Sequence, residues 1–267
     1  HEEPFSIPAR RRGVILLGPV RSAMTDPLAA VSRKKVLSDV SELFVHPRVV
    51  PLETRTIGFL RDIEGIATQN LSSSDVSFHA LREYVPGDDR RSVHWRTTAR
   101  TGKLMVRQFE ETMRAHLLIL LSTLPGDYAS PEDFELAVSV AGSLGVAALR
   151  EEKQVTLCTS KGEVPFPNAM GLLDRLSGVE LDDKGHELRE LAVKHGSMPG
   201  ISVAAFVTGS PSPAVLRSSQ LALPPGVFPF AVRCLGGEEL ARRRVGDLVV
   251  LDIPQLDDLR PAVGSLA

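Results

Sequence analysis

Asp88, Asp89 and His94 are the residues whose types best suit catalysis, because carboxylates and imidazoles build acid–base and metal sites. Their spacing argues against such a site. On a helix, residues five positions apart do not share a face, and a carboxylate that caps a helix is already bound to backbone amides. We therefore expect no catalysis here. A metal-dependent hydrolase or phosphotransfer protein that uses these three side chains is the alternative.

The same part of the chain is rich in arginine. Its cations are Arg82, Arg90, Arg91, Arg96, Arg100, Lys103, Arg107 and Arg114, and its anions are Glu83, Asp88, Asp89, Glu110 and Glu111. Arginine binds carboxylates through two parallel hydrogen bonds, so these residues can fix a joint between domains. They can also present a positive surface to an acidic partner or an anion. Nucleic acid is not expected, since only Trp95 and Tyr84 are near for base stacking and the formal charge is -2.

Local signals predict a helix over 90–100 in this segment. The flanking turn and capping residues are Pro86, Gly87, Asp88, Asp89 and Gly102. Trp95 is predicted to anchor the helix in a core, with Arg96 and Arg100 paired on an adjacent face. A strand is predicted to follow, because residues 104–107 alternate in character.

From His116 onward, apolar strands alternate with amphipathic helices. HLLILLST is a continuous apolar run, as expected for a parallel strand buried on both faces. Ser130 and Asp133 form a predicted capping box for a helix that runs to about Glu152. Further strands are predicted in QVTLCTS, ISVAAFVTG, VFPFAVRC and DLVVLDI, and helices in MGLLDRLSG, HELRELAVKHG and Pro213 to Leu221. This alternation predicts an α/β domain with a doubly wound parallel sheet over 113–267.

Residues 1–75 are predicted to form a β-rich, sandwich-like domain, truncated at its N-terminus because the chain begins within a strand-like pattern. GVILLG and ELFVHPRVVPL are its apolar runs, with a turn at 25–27. Pro47 and Pro51 indicate an edge strand or its end. The stretch 65–77 is predicted to be a mobile polar connection, and residues 76–112 are predicted to link the two domains.

Bulk composition indicates a globular protein, with 43% hydrophobic and 24% charged residues. A formal charge of -2 provides no global field for nucleic acid or acidic lipid. The longest apolar run, residues 136–149, is shorter than a membrane span. Cys158 and Cys234 are predicted to be buried thiols in strands. The arginine runs 10–12 and 242–244 are predicted to be solvated.

The order R-x-Y-x-P-G-D-D-x-R-x-x-x-W-R-x-x-A-R-x-G-x-L-x-V-R, from Arg82 to Arg107, resembles the signature of the bacterial family domain of unknown function 58. The predicted interaction residues within it are Arg82, Tyr84, Pro86, Gly87, Asp88, Asp89, Arg91, His94, Trp95, Arg96, Arg100, Gly102 and Arg107. The resemblance implies a von Willebrand factor A-like α/β domain. It also implies a membrane-anchored protein whose soluble part is cytoplasmic and acts beside MoxR-type AAA+ ATPases as an adaptor or in assembling other complexes.

Von Willebrand factor A-like domains carry a metal-dependent adhesion site, D-x-S-x-S, after the first strand, because a divalent cation needs an oxygen cage. The implied register puts Ser122, Leu124 and Gly126 at the three ligand positions. The later loop offers Thr208 and Gly209, with no carboxylate beside them. We therefore expect a degenerate site with no metal and no cofactor. The chain is predicted to be a non-catalytic protein-interaction module, with an anion-binding module as a further alternative.

Overall fold

The computed structural model describes residues 7, 9, 11–25, 32–52, 76–86, 93–111 and 115–266. The predicted turn beyond Thr25 and the polar connection up to residue 75 lie outside the described residues. Residues 87–92, which include the predicted caps Asp88 and Asp89, also lie outside the described residues.

The N-terminal strands form two short antiparallel pairs that follow one another as a ribbon. β1 (Gly13–Leu17) pairs with β4 (Ser41–Val45), and β2 (Arg21–Thr25) pairs with β3 (Ser32–Val36). The backbone N–H of Leu37 donates to the Val20 carbonyl at 2.7 Å and joins the two pairs. The β-rich character predicted for this region is confirmed, and β4 ends before Pro47, which cannot donate to a ladder.

Another pair of antiparallel strands flanks the signature helix in sequence. β5 (Val76–Glu83) pairs with β6 (Met105–Glu111), and α1 (Trp95–Thr101) lies between them in sequence. The prediction of a helix over 90–100 is wrong at its start. Val93 forms a β-bridge with Val106, so the chain is still extended two residues before α1 begins.

The remaining strands form one seven-stranded sheet in the order β12-β13-β11-β10-β7-β8-β9. These strands are β7 (His116–Leu121), β8 (Gln154–Thr159), β9 (Gly162–Glu163), β10 (Ile201–Thr208), β11 (Phe228–Cys234), β12 (Ala241–Val245) and β13 (Leu248–Ile253). The five inner strands are parallel, while β9 and β12 run antiparallel at the two edges. The strand order reverses beside β7, as in a doubly wound sheet.

Five helices accompany this sheet, namely α2 (Pro131–Arg150), α3 (Ala169–Ser177), α4 (Leu188–His195), α5 (Pro213–Leu221) and α6 (Leu259–Gly264). The predicted capping box at α2 is confirmed. Ser130 Oγ accepts from the Asp133 amide at 3.2 Å, and the Asp133 carboxylate accepts from the Ser130 amide at 3.1 Å. Within the described part of the chain, no helix combines the length and the apolar character that a bilayer span requires.

Two apolar cores cover the two faces of the sheet. Alternate residues of β7 point to opposite faces, so Leu117, Ile119 and Leu121 join a core with α2, α3 and α6. Leu118 and Leu120 join a second core with α4 and α5. Helices on both faces explain why residues 117–121 are all apolar.

Arg12 joins the N-terminal strands to the α/β unit. Its guanidinium binds both carboxylate oxygens of Glu135 at 2.9 and 3.2 Å and donates to the carbonyls of Leu176 and Val179 at 2.8 and 2.6 Å. It also lies 5.2 Å from the centre of the Phe134 ring. Because its side chain is 6% exposed, the prediction that the whole run 10–12 is solvated is wrong.

The segment after β4 continues this attachment along α2 and α3. His46 Nε2 lies 2.7 Å from Asp174 Oδ1 on α3, and the Val50 amide donates to Ser143 Oγ on α2 at 3.1 Å. Val50 and Leu52 pack against the apolar core on that face. The N-terminal strands are therefore fixed to the α/β unit by both polar and apolar contacts.

Candidate interaction site

The signature segment forms a short helix with a cap at each end. His94 caps the start of α1, since its Nδ1 accepts from the Thr97 amide at 3.3 Å and lies 2.8 Å from Thr97 Oγ1. Gly102 ends the helix at φ 71°, as predicted, and its amide donates to the Thr98 carbonyl at 2.9 Å. One ring nitrogen of His94 is thus committed to structure.

Backbone hydrogen bonds bring three parts of the signature together at the start of β6. The Tyr84 amide donates to the Leu104 carbonyl at 2.8 Å, and the His94 amide donates to the Met105 carbonyl at 2.8 Å. The Met105 amide donates in turn to Thr98 Oγ1 on α1 at 3.0 Å. The β5 exit, the start of α1 and the entry of β6 are therefore neighbours.

Apolar side chains are exposed at this junction. Trp95 is 66% exposed, Val85 is 57% exposed and Leu104 is 46% exposed. Burial of an indole is normally favourable, and α1 contains no buried residue at all. The prediction that Trp95 is a core anchor is therefore wrong.

The helix also carries exposed positive charge. Arg96 and Arg100 are both exposed and lie one turn apart, and among the described residues neither has a hydrogen-bond or ion-pair partner. Lys103 differs, because its ammonium lies 2.5 Å from the Glu83 carboxylate, and this hydrogen bond raises the pKa of Lys103. Lys103 thus pairs with a carboxylate within the β5–β6 pair, and the bidentate arginine network predicted to fix the joint between the domains is not seen at Arg96 or Arg100 among the described residues.

The other predicted signature residues fall into three groups. Tyr84 is half-buried beside Leu104, and Pro86 is exposed in a turn. Arg82 and Arg107 occupy β5 and β6, where their backbones pair with Val106 and Leu81. The residues that lie outside the described part of the chain are Gly87, Asp88, Asp89 and Arg91.

The positions predicted for a degenerate adhesion site lie at the carboxyl end of β7, where the strand order of the sheet reverses. Ser122 is buried, and its Oγ donates to Asp127 Oδ2 at 2.5 Å. Leu124 is half-buried and Gly126 is exposed in the same loop. The Ser122 hydroxyl is thus bound to a carboxylate of its own loop.

Asp127 also connects this loop to the loop after β10. Its backbone carbonyl accepts from the Ser210 amide at 2.6 Å. A Cβ on Gly209 would lie 2.3 Å from that carbonyl, so the close approach requires glycine here. Thr208 is fully buried, and its hydroxyl has no partner among the described residues.

The two cysteines of the α/β unit are poorly suited to act as nucleophiles. Burial raises the pKa of the Cys158 thiol to about 12 and raises the pKa of the Cys234 thiol well above its usual range, which disfavours thiolates. Both cysteines are buried and unpaired, as predicted. Among the described residues, no three His, Cys, Asp or Glu side chains are grouped so that they could hold a metal ion.

The exposed tryptophan could have been found from the sequence of α1 itself. The apolar face of WRTTART consists of Trp95 and Ala99 alone, so the helix has little apolar area to bury. A tryptophan on a helix that packs nothing must lie at the surface. Val85 and Leu104 are exposed at the same junction because β5 pairs with β6. No local feature of the sequence predicts that pairing.

Comparison with known proteins supports the family resemblance. Residues 80–174 match the family model described as "Protein of unknown function DUF58". Over 87 residues the chain is 31% identical to "Uncharacterized protein YeaD" of Bacillus subtilis (strain 168), in an alignment that covers 28% of this chain. The alignment spans 21% of that curated relative, so the match concerns about a fifth of its length. No solved structure matches. The family-model match includes the whole signature from Arg82 to Arg107.

Proposed function

We propose that this chain of the DUF58 family is a non-catalytic protein-interaction module that binds its partner through the α1 surface, defined as Val85, Trp95, Arg96, Arg100 and Leu104. The observation that carries the proposal is the 66% exposure of Trp95. Val85 and Leu104 add exposed apolar groups at the same junction, and apolar patches on a protein surface are typical of interaction sites.

The composition of the α1 surface resembles the energetic centre of a protein–protein interface. Tryptophan and arginine are the residue types most enriched among interface hot spots. The unpaired guanidinium groups of Arg96 and Arg100 favour a partner that presents carboxylates beside an apolar pocket for the indole.

The partner that we propose is a MoxR-type AAA+ ATPase, with this chain as its adaptor. The support is the residue-level resemblance of the signature, which contains Trp95, Arg96 and Arg100. In the same proposal the α/β unit is von Willebrand factor A-like, and the intact protein is anchored in a membrane with this part in the cytoplasm. The doubly wound sheet with helices on both faces is compatible with that architecture.

Two contacts support a module without catalysis. His94 Nδ1 is used to cap α1, and the Ser122 hydroxyl is bound to Asp127. Each of these contacts gives the side chain a structural role. Of the three residues of the alternative hydrolase, Asp88 and Asp89 lie outside the described residues.

The test is binding to each MoxR-type ATPase from the same cell, measured by calorimetry with purified proteins. Hot-spot truncations cost about 2 kcal/mol or more, which is roughly a 30-fold loss of affinity. We expect that loss or a larger one for Trp95→Ala. Leu221→Ala is the matched control, because Leu221 is an apolar helix residue that is 75% exposed, and we expect unchanged affinity for it.

Failure of the wild-type chain to bind any of these ATPases would overturn the proposed partner. Equal losses for Trp95→Ala and Leu221→Ala would overturn the α1 surface. Thermal unfolding of both variants provides the folding control, and because both side chains are mostly exposed, both should unfold at the wild-type temperature.

A further inference from the structure

β12 forms a free edge of the seven-stranded sheet. It pairs antiparallel with β13 on one side and stands last in the strand order, so no described strand covers its other side. Unpaired N–H and C=O groups on such an edge are a template for another strand.

The turn that follows β12 determines which backbone groups face outward. Gly246 and Asp247 form a two-residue turn, with Gly246 at φ 65°, between the paired residues Val245 and Leu248. Such a turn closes on a hydrogen-bonded pair, and bonded and non-bonded pairs alternate along the ladder. The N–H and C=O groups of Arg242 and Arg244 therefore face the open edge.

The side chains of this strand make the edge positive. Arg242, Arg243 and Arg244 are all exposed, as the sequence predicted for this run. Because side chains alternate along a strand, Arg242 and Arg244 share one face of the sheet, with Arg243 on the other. Arg244 has no hydrogen-bond or ion-pair partner among the described residues.

Neighbouring groups hold two of these arginines in place. Arg243 Nε binds the carboxylate of Asp252 at 2.6 Å, and Asp252 is fully buried. That single carboxylate also binds Arg233 at 2.6 and 2.8 Å, so one negative charge serves two guanidinium groups. Arg242 donates to the Ser265 carbonyl beyond α6. The edge thus retains an excess of positive charge on positioned side chains.

We propose that the free edge of β12 binds an extended acidic segment of a partner protein as an additional strand. Main-chain hydrogen bonds would supply affinity, and carboxylates on alternate residues would meet Arg242 and Arg244. A second copy of β12 is a poor occupant, because it would place arginines against arginines, and like charges on paired strands are destabilising. An acidic strand reverses the sign of that interaction.

This inference goes beyond the proposed function, because β12 contains no residue of the α1 surface. The two surfaces can be tested separately. Trp95→Ala should leave binding at β12 unchanged, and substitutions in β12 should leave calorimetric binding through the α1 surface unchanged.

The experiment uses a fluorescein-labelled peptide of alternating glutamate and valine, with binding to the full 267-residue chain measured by anisotropy. A peptide of alternating glutamate and proline has the same charge, but each proline fixes φ at about −65°, away from the roughly −140° of an antiparallel strand, so the peptide resists strand addition. We expect the proline peptide to bind at least tenfold more weakly. We also expect affinity for the valine peptide to fall with added salt.

The protein variants separate the edge from general charge. Arg242→Ser combined with Arg244→Ser should weaken binding of the valine peptide at least tenfold, whereas Arg189→Ser combined with Arg217→Ser, on exposed positions of α4 and α5, should not. The single variant Arg244→Ser removes no described contact, so it keeps the test valid if the double variant unfolds. It should weaken binding about threefold.

Equal affinity for the valine and proline peptides would overturn strand addition. Equal losses for the β12 pair and the control pair would overturn the assignment to this edge. Absence of binding by the wild-type chain would overturn the proposal as a whole, while leaving the α1 surface to be judged on its own calorimetry.

Discussion

Replacing Arg12 by alanine should destabilise the protein strongly, because this side chain joins the start of β1 to the α/β unit. The variant loses two hydrogen bonds to Glu135, those to the carbonyls of Leu176 and Val179, and the contact with the Phe134 ring. Breaking a buried ion pair costs about 3–5 kcal/mol. Glu135 is 40% exposed and can regain water, so we expect a loss of about 2–4 kcal/mol in the free energy of unfolding.

The adjacent residue provides the control. Arg11 lies 3.7 Å from Glu132, with side chains 74% and 73% exposed, and such surface pairs contribute about 0–1 kcal/mol. Urea unfolding of Arg12→Ala and Arg11→Ala measures the difference. Hydrogen exchange should also rise in β1 and β4 for Arg12→Ala, because the ribbon loses its tie to α2 and α3. Equal unfolding free energies for the two variants would refute the account of Arg12.

The remaining predictions concern single groups. Trp95, the one tryptophan of the chain, should show the red-shifted emission of a hydrated indole and strong quenching by acrylamide, and blue-shifted, protected emission would contradict its exposure. Burial lowers the pKa of His116 and of His195, so the unfolded chain binds protons first as the pH falls below about 6.5. The free energy of unfolding should therefore fall as the pH is lowered from 7 toward the lowered pKa values of the two histidines in the folded chain. The variant His116→Gln should show a smaller dependence of unfolding free energy on pH. Cys158, with its pKa raised to about 12, should react with a thiol reagent at pH 8 only in denaturant, and rapid native labelling would contradict its burial. Purified protein should contain no stoichiometric divalent metal, and EDTA should leave its melting temperature unchanged; a metal-dependent shift would revive the hydrolase alternative.

Most elements of the α/β unit are predictable because their signals are local, whereas β9, β12 and α6 were not predicted. The capping box at Ser130 and Asp133 needs four consecutive residues, and the uninterrupted run HLLILL can only suit a strand covered on both faces. Glycine at 102 likewise ends α1 for a reason contained in its own backbone angle. Each of these features is determined by residues that are close in sequence, without contacts from distant parts of the chain.

The wrong predictions concern residues whose structure depends on pairing or packing with distant parts of the chain. The start of α1 was misplaced because Val93 is held extended by Val106, thirteen positions along the chain, and no helix propensity reports that bridge. Arg12 sits in a run of three arginines that looks solvated, yet carbonyls at the end of α3 and the carboxylate of Glu135 bury it. Trp95 is the opposite case, because its apolar side chain lies on a mostly polar helix with no buried residue and is exposed.

We propose that this chain binds a partner at the α1 surface. Hydrogen–deuterium exchange in complex with a MoxR-type ATPase tests this binding site. The account predicts that the ATPase slows exchange of the amides of α1 and of the adjoining start of β6, around Met105. Slowed exchange elsewhere in the chain, with α1 unchanged at saturating ATPase, would contradict it.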